Sequence, residues 1–278
     1  MIIILSLILS MLDAQVVTPY GAKVLALSEG GRPFVTGYDA VMTNPAGAAF
    51  VDSTQFGFGM NFGNYKSLSA AYIGESGFHI VQAIHDLDSN NSVAMMQTYF
   101  GFAYEFSKWW VIGFNVGYNY LKTSPGWDIN FGIDFGPGIR TANHSGFIGS
   151  ISIRNPIENA GVGEFVGSLG YTYRSAFSIS VDNMYRFSND IVVNNVLVDI
   201  SEYDIVAAVE TFPLESDEFS MLFSVRINAV SEDNDMKAGM GFGYLGEDFR
   251  FDLGLYANDF RRGGIQNITF GFSFIYGV

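Results

Sequence analysis

Bulky apolar residues alternate with polar or small residues along most of this chain. From Trp127 to Gly136, every odd-numbered position is bulky and apolar, and every even-numbered position is acidic, an amide or glycine. Successive side chains of a β-strand point to opposite faces, so this alternation predicts strands with one apolar face and one polar face. Membrane β-barrels are built from strands of this kind.

The alternation continues from residue 54 to the end of the sequence and predicts about fourteen antiparallel strands. Most of them are as long as a tilted strand that crosses the hydrocarbon layer, roughly 9 to 11 residues. The sequence therefore predicts an all-β fold, a transmembrane antiparallel barrel over residues 54–278. The predicted strands are 54–62, 67–74, 77–86, 96–106, 110–120, 127–136, 146–154, 165–174, 177–186, 203–212, 219–228, 236–244, 249–257 and 267–276.

The connections between the predicted strands alternate in length. Tight turns at 74–77, 107–109, 175–176 and 245–248 alternate with long polar segments, and 137–145 is the exception. Bacterial outer-membrane barrels have short turns on the periplasmic side and an even number of strands. We therefore expect a protein of the bacterial outer membrane with both termini in the periplasm. The long segments are 87–95, 155–164, 187–202 and 258–266, of which 187–202 is expected to hold extra β structure.

The first 53 residues lack the alternation. Residues 1–14 contain an apolar run from Ile2 to Leu12 followed by Asp13, and we interpret them as a signal peptide, with a buried N-terminal segment as the alternative. No apolar run in the sequence approaches the roughly 18 residues of a membrane-spanning helix.

Residues 15–53 are predicted to fold as a plug. Barrels of 16 to 18 strands hold an aqueous channel, so a barrel of about fourteen strands would leak unless its lumen were blocked. This segment precedes the strands and has the compact turn-forming sequence Asn-Pro-Ala-Gly. The predicted plug or gate residues are Asp39, Asn44, Pro45, Ala46 and Gly47.

If lipid contacts the apolar faces, the polar faces line the lumen. Charged groups in a confined lumen are expected to pair or to contact water. They are interpreted either as ion pairs that stiffen the wall and hold the plug, or as a surface that selects solutes. The predicted lumen-lining charged residues are Glu105, Asp128, Asp134, Arg154, Arg174, Asp182, Arg186, Asp204, Glu210, Arg226, Lys237, Arg250 and Asp252.

The alternation alone does not separate a membrane barrel from a soluble β-sandwich, whose strands have the same period. Aromatic residues near the predicted strand ends favour the barrel because they suit the interfacial girdles of a membrane protein. These residues are Trp109, Trp110, Trp127, Tyr171, Tyr185, Phe187 and Tyr276.

The composition argues against several functions. The net charge of −14 is unfavourable for binding nucleic acid, and the absence of cysteine excludes thiolate chemistry. His79 and His85 lie six residues apart on one predicted strand, or roughly 20 Å, too far to share a metal ion or a catalytic triad. The polar loop 86–91 is interpreted as solvated rather than as a calcium site because it lacks the EF-hand glycine and glutamate. We expect no enzymatic activity, no metal and no cofactor.

The segment Tyr38 to Gly47, Tyr-Asp-Ala-Val-Met-Thr-Asn-Pro-Ala-Gly, resembles the plug signature of the FadL-like outer-membrane superfamily. This superfamily includes long-chain fatty-acid transporters and the PorV and PorQ proteins of type IX secretion. The stretches 134–136 and 151–156 and the last four predicted strands add to the resemblance. The resemblance implies a 14-stranded barrel with an N-terminal plug.

Two functions follow as expectations. In the first, a plugged barrel in contact with outer-membrane lipid passes small hydrophobic or amphipathic ligands inward, with residues 38–47 as a movable gate. In the second, the barrel transports nothing and serves as a scaffold whose 187–202 loop binds a protein of a secretion or surface-attachment system. Transport requires an apolar path beside the plug, whereas a scaffold requires a sealed lumen.

Overall fold

The described residues form one closed barrel of 14 antiparallel strands, in which the first strand pairs with the last. The alternative of a soluble β-sandwich is therefore wrong, because a sandwich has two separate sheets. The computed structural model describes residues 21–63, 66–86, 94–107, 109–121, 126–136, 145–154, 162–173, 176–188, 191–193, 196–198, 201–213, 218–229, 236–258 and 267–277. Residues 1–20, which include the predicted signal peptide, lie outside them.

Each barrel strand pairs with its neighbours along the chain, and no strand boundary differs from the predicted one by more than three residues. The strands are β1 Gln55–Gly63, β2 Lys66–Ile73, β3 His79–Asp86, β4 Ala94–Ser107, β5 Trp110–Leu121, β6 Gly126–Phe135, β7 Ser145–Arg154, β8 Val162–Tyr173, β9 Phe177–Ser188, β12 Ser201–Thr211, β13 Phe219–Asn228, β14 Met236–Leu245, β15 Phe249–Asn258 and β16 Asn267–Tyr276. Between β9 and β12, β10 Ile191–Val193 and β11 Val196–Val198 form a separate hairpin, the extra β structure expected in 187–202.

The apolar faces of the strands point outward. On β13, Met221, Phe223 and Val225 are exposed, whereas the alternate residues Ser224 and Arg226 are buried inside. A soluble protein buries the opposite set, because apolar surface is favourable in a protein core and unfavourable in water. An apolar outer surface around a polar interior is the arrangement of a membrane barrel.

Aromatic side chains form a girdle at the end of the barrel where β1 begins and β16 ends. Neighbouring strands bring rings together there, as in Trp110 and Phe135, whose centroids lie 5.6 Å apart, and Phe147 and Tyr171, 5.0 Å apart. Tyr276 at the end of β16 is 55% exposed and belongs to the same level. Such belts mark the boundary between hydrocarbon and water.

The predicted alternation of loop lengths holds only in part. At the end of the barrel where β1 begins and β16 ends, the turns between β2 and β3 and between β14 and β15 are tight. At the opposite end, however, β1 and β2 are separated only by residues 64–65 and β5 and β6 only by residues 122–125. Loop length therefore identifies the two ends of this barrel less clearly than the sequence indicated.

Residues 21–53 lie inside the barrel and form the segment that we call the plug. It contains the helices α1 Ala22–Ala26 and α2 Gly37–Ala40 and a 3₁₀-helix, η1, Pro45–Phe50. Asn44 caps η1 and Pro45 occupies its first turn, where a missing N–H costs nothing. None of the helices in the described part of the chain is long and apolar enough to cross a membrane.

Candidate functional site between plug and barrel wall

The Asn-Pro-Ala-Gly segment docks on β6 and β7 through the side chain of Asn44. Its Oδ1 accepts a hydrogen bond from the Ala46 N–H at 3.3 Å, which caps η1. Its Nδ2 donates to Asp134 at 2.6 Å and to the Ser150 hydroxyl at 2.9 Å. All of these groups are buried. One amide therefore holds the local turn and attaches it to the wall.

We expect Asn44→Ala to weaken plug docking. Loss of the cap costs about 1 kcal/mol, and loss of a buried hydrogen bond to a carboxylate costs about 1.5–3 kcal/mol more. Hydrogen exchange of residues 40–50 should accelerate, while exchange in the barrel strands should not change. Asn183→Ala on the outer face of β9 is the matched control. Equal protection of the plug in Asn44→Ala and in the wild type would contradict this assignment.

Behind this segment, the wall consists of glycine. Gly113 on β5 pairs with Gly132 on β6, and both face inward. A methyl group on Gly113 would lie 2.2 Å from the backbone nitrogen of Ala46, and one on Gly132 would lie 2.0 Å from Asn44 Oδ1. Any larger residue would therefore displace the plug, and we call this glycine pair the η1 socket.

A second group of wall glycines receives α1. A methyl group on Gly239 would lie 2.2 Å from the Ala26 carbonyl oxygen, and one on Gly254 would lie 2.2 Å from that of Ala22. Gly241 follows two residues after Gly239, pairs with Gly254 across the strands and meets the Ala26 side chain. The helix is thus pressed against bare backbone on β14 and β15, which we call the α1 socket.

Tyr38 on α2 packs its ring against Gly57 and Gly59 of β1. Its hydroxyl lies 2.6 Å from the Ser69 hydroxyl on β2. Burial is the main factor that raises the pKa of Tyr38 above its ordinary value, so the hydroxyl stays neutral and hydrogen-bonded. The η1 socket, the α1 socket and the Tyr38 contact thus place plug residues against three different parts of the wall.

Three charged residues of the plug, Lys23, Glu29 and Arg32, meet wall residues of opposite sign. The Lys23 ammonium on α1 donates to both carboxylate oxygens of Glu210 on β12, at 2.8 and 2.7 Å. Both side chains are buried. A buried pair of this geometry is strongly destabilised when one partner is removed, because the other charge is left without compensation.

Arg32 extends from the plug to β7 and β8. Its guanidinium donates to Glu164 at 2.6 Å, to the Ser152 hydroxyl at 2.8 Å, and to the carbonyl of Thr43 in the plug itself. Asp182 on β9 accepts hydrogen bonds from the backbone N–H groups of Gly31 at 2.9 Å and Arg32 at 3.3 Å. The turn after α1 is therefore held by its backbone N–H groups as well as by the Arg32 side chain.

Glu29 occupies the same turn and pairs with two wall arginines. It accepts hydrogen bonds from Arg186 and, at 2.8 Å, from Arg226, and both arginines also bind Asp204. The residue has a φ of 69°, in the left-handed region that costs a non-glycine residue about 1–3 kcal/mol. The ion pairs compensate for this backbone conformation.

The remaining predicted lumen residues have varied positions. Arg154 is half-buried and donates to the Tyr99 hydroxyl at 3.3 Å, and Lys237 is half-buried opposite Arg226 on the neighbouring strand. Glu105 has the inward register but is exposed. Arg174 lies outside the described residues, and the side chain of Asp128 is not described.

Sequence reasoning missed the plug residues Lys23, Glu29 and Arg32 because the segment that contains them has no periodic pattern. It also missed Glu164, because the predicted strand began one residue later. It did not assign the inward glycines to contacts. Their position on the polar face of each strand was the available signal.

The outer wall has an apolar pocket of about 400 Å³ on the opposite side of the α1 socket. Backbone of Gly241, Gly254 and Gly271 contributes to it, so the wall between the pocket and α1 carries no side chain at that level. The other lining residues face outward and are Met221, Phe223, Met240, Phe242, Leu253, Leu255 and Phe270. The strands remain paired through these glycines, so the pocket is a depression and not an opening.

No protein-family model matches the sequence, and no curated protein matches it. Solved structures do share its fold. The CymD monoaromatic hydrocarbon channel is 10% identical and has a TM-score of 0.66, with 93% of this chain and 97% of that chain covered. The Pseudomonas putida toluene transporter TodX is 10% identical and has a TM-score of 0.60, with 94% of this chain and 99% of that chain covered.

These similarities show that the chain has the fold of FadL-family outer-membrane β-barrels, as the resemblance implied. The solved structures reported above are described as a channel and a transporter.

Proposed function

We propose that this protein is a plugged channel that passes small hydrophobic or amphipathic molecules inward across the outer membrane, with both termini in the periplasm. Residues 38–47 form the gate, and the lumen charges hold it closed. The observation that carries the proposal is the way in which the plug is attached to the wall.

The plug adds no strand to the barrel. The ring of 14 paired strands closes without it, because β1 pairs directly with β16. The plug is held by side-chain ion pairs, by single hydrogen bonds such as that from Asn44 to Asp134, and by contact with glycine sockets. The pairing of the wall strands does not depend on these contacts, so the plug is able to move while the wall stays intact.

The cargo class is supported from two directions. CymD and TodX, which share the fold over nearly their whole length, are described as a monoaromatic hydrocarbon channel and a toluene transporter. The outer surface of this barrel presents apolar side chains and an apolar pocket to the membrane, where a hydrophobic molecule partitions. We therefore propose an apolar cargo rather than a sugar or an ion.

Deletion of residues 38–47 tests the gate. We expect the folded deletion variant, reconstituted in liposomes, to admit small dyes that the wild type excludes, because the Tyr38 anchor, Asn44 and the first half of η1 are removed from the lumen. Heat-modifiable migration in gel electrophoresis checks that the barrel has folded. Unchanged dye flux through a folded deletion variant would refute the gate.

The cargo is tested on the wild type with matched probes. Cells that express the protein should take up a radiolabelled monoaromatic hydrocarbon faster than cells without it, and uptake of a hydrophilic sugar of similar size should not change. Equal uptake of the hydrocarbon by both kinds of cell would contradict the apolar cargo while leaving the gate untouched.

A further inference from the structure

The Asp39 side chain on α2 is buried in the junction between plug and wall without a hydrogen-bond donor. It is 2% exposed, and among the described residues neither of its carboxylate oxygens accepts a hydrogen bond. Its Oδ1 lies so close to Gly21 that a methyl group there would be 2.2 Å away. An ionised carboxylate is costly in such a place unless other groups compensate its charge.

The nearby cations are already engaged by other carboxylates. Lys23 on α1 binds both oxygens of Glu210 on β12. Arg250 on β15 donates to Asp252 on the same strand through Nε at 3.0 Å and through one terminal nitrogen at 2.9 Å. That terminal nitrogen lies 3.8 Å from Asp39, an ion-pair distance without a hydrogen bond.

The charges of this cluster do not balance when every acid is ionised. Three carboxylates, Asp39, Glu210 and Asp252, face two cations, Lys23 and Arg250, which leaves one negative charge in excess. Among the described residues, the other titratable group beside Asp39 is Tyr38, its neighbour on α2, whose buried hydroxyl is neutral. One proton on Asp39 would make the cluster neutral.

We propose that Asp39 is a proton-binding site, and that the docked plug holds one proton on this carboxyl group and docks less tightly when the proton is lost. The link to pore closure rests on the proposed function, but the proton site itself does not. A proton rather than a metal ion fits the site, because no three acidic or histidine side chains among the described residues, Asp39, Glu210 and Asp252 included, are arranged to hold a metal ion.

The direction of the pH effect follows from linkage. Burial raises the pKa of Asp39 to about 7, and Arg250 only partly opposes this effect. A solvated aspartate in an undocked plug has a pKa of about 3.9. The proton therefore stabilises docking fully below about pH 4, and the stabilisation is lost as the pH rises through 7. Between pH 6 and pH 8, the docking equilibrium should weaken about tenfold.

A cysteine reporter measures this equilibrium. Because the natural sequence has no cysteine, Ala48→Cys on buried η1 would be the single thiol of the protein. We compare maleimide labelling at pH 6 and pH 8 in this variant and in the same variant with Asp39→Asn, so that the intrinsic pH dependence of the thiol cancels. At each pH, the labelling rate of the variant with Asp39 is divided by the rate of the variant with Asp39→Asn. This ratio should rise about tenfold from pH 6 to pH 8.

Asp52→Asn, in an exposed part of the plug, is the control and should keep the pH dependence of the reporter variant. A ratio that does not change between pH 6 and pH 8 would overturn the proposal.

Infrared difference spectroscopy of the wild type with isotope-labelled aspartate needs no variant and no transport. A protonated aspartic acid band that disappears near neutral pH, and that is absent from Asp39→Asn, would establish the proton site even if deletion of residues 38–47 opened no pore. If no aspartate titrates near neutral pH, the proton site fails, and the deletion experiment still decides the gate separately.

Discussion

Replacement of Lys23 by glutamate should release the plug, and a second replacement, Glu210→Lys, should restore it. In the single variant, two carboxylates meet where the Lys23 ammonium now contacts both oxygens of Glu210 at 2.8 and 2.7 Å. Loss of one partner from a buried pair costs about 3–5 kcal/mol. The undocked population should therefore rise roughly 10²- to 10⁴-fold.

The measurement is single-channel conductance in planar bilayers together with dye flux into liposomes. Lys23→Glu should open frequently, and the double variant should close again because it recreates the pair with its signs exchanged. Lys66→Glu, at an exposed position on β2, carries the same change of charge without plug contact and should behave as the wild type. Equal conductance of Lys23→Glu and Lys66→Glu would show that this pair does not hold the plug.

The interpretation of the wall charges also changes with the structure. The sequence left two interpretations open, ion pairs that hold a plug and a surface that selects solutes. In the structure, Glu210, Asp182 and Arg226 each contact a plug residue, and Glu164 contacts Arg32. We propose that these residues act first as the docking surface of the plug.

The strands were predictable because lipid imposes one simple rule on them. Every second residue of a strand such as β13 must be apolar, and the rule is repeated at each crossing of the membrane. The alternation therefore specified both the number of barrel strands and the face on which Arg226 lies. No comparable rule acts on residues 21–53, most of which are buried against other parts of the protein.

The partners of individual charges could not be predicted for the same reason. Alternation tells which face Glu210 occupies but not its depth in the lumen, and Lys23 meets it across 187 positions of sequence. The hydrogen bond from Asn44 to Asp134 joins residues 90 positions apart. The Asn-Pro-Ala-Gly segment was identified from its turn-forming residues and its place before the first strand, and then from its resemblance to a known superfamily.

The glycines were the most informative residues that the sequence analysis did not use. Glycine weakens a strand interior, so an inward glycine commonly marks a place where another backbone approaches closely. Gly113 and Gly132 lie beside η1, and Gly239 and Gly254 lie beside α1. The pattern of inward glycines thus outlines where the plug rests on the wall.

Substitution of Gly113 by valine should strengthen the barrel and displace the plug. Valine is favoured in strands, where a branched side chain packs well, so β5 should tolerate it. The first added carbon, however, would lie 2.2 Å from Ala46 N and 2.4 Å from the Pro45 carbonyl oxygen. These are backbone atoms that no side-chain rotation can move, so η1 must leave its socket, at a cost of about 1–3 kcal/mol or more.

The two effects are separable because they concern different parts of the protein. Gly113→Val should keep or raise the temperature at which the barrel unfolds in detergent, while dye flux into liposomes rises about ten- to a hundredfold. Gly167→Val on β8 is the matched control, since the first added carbon there would meet only the Phe165 ring, at 4.0 Å on the outer face. Glycine would have no docking role at position 113 if both variants excluded the dye equally. A barrel destabilised by Gly113→Val would show instead that β5 itself requires the glycine.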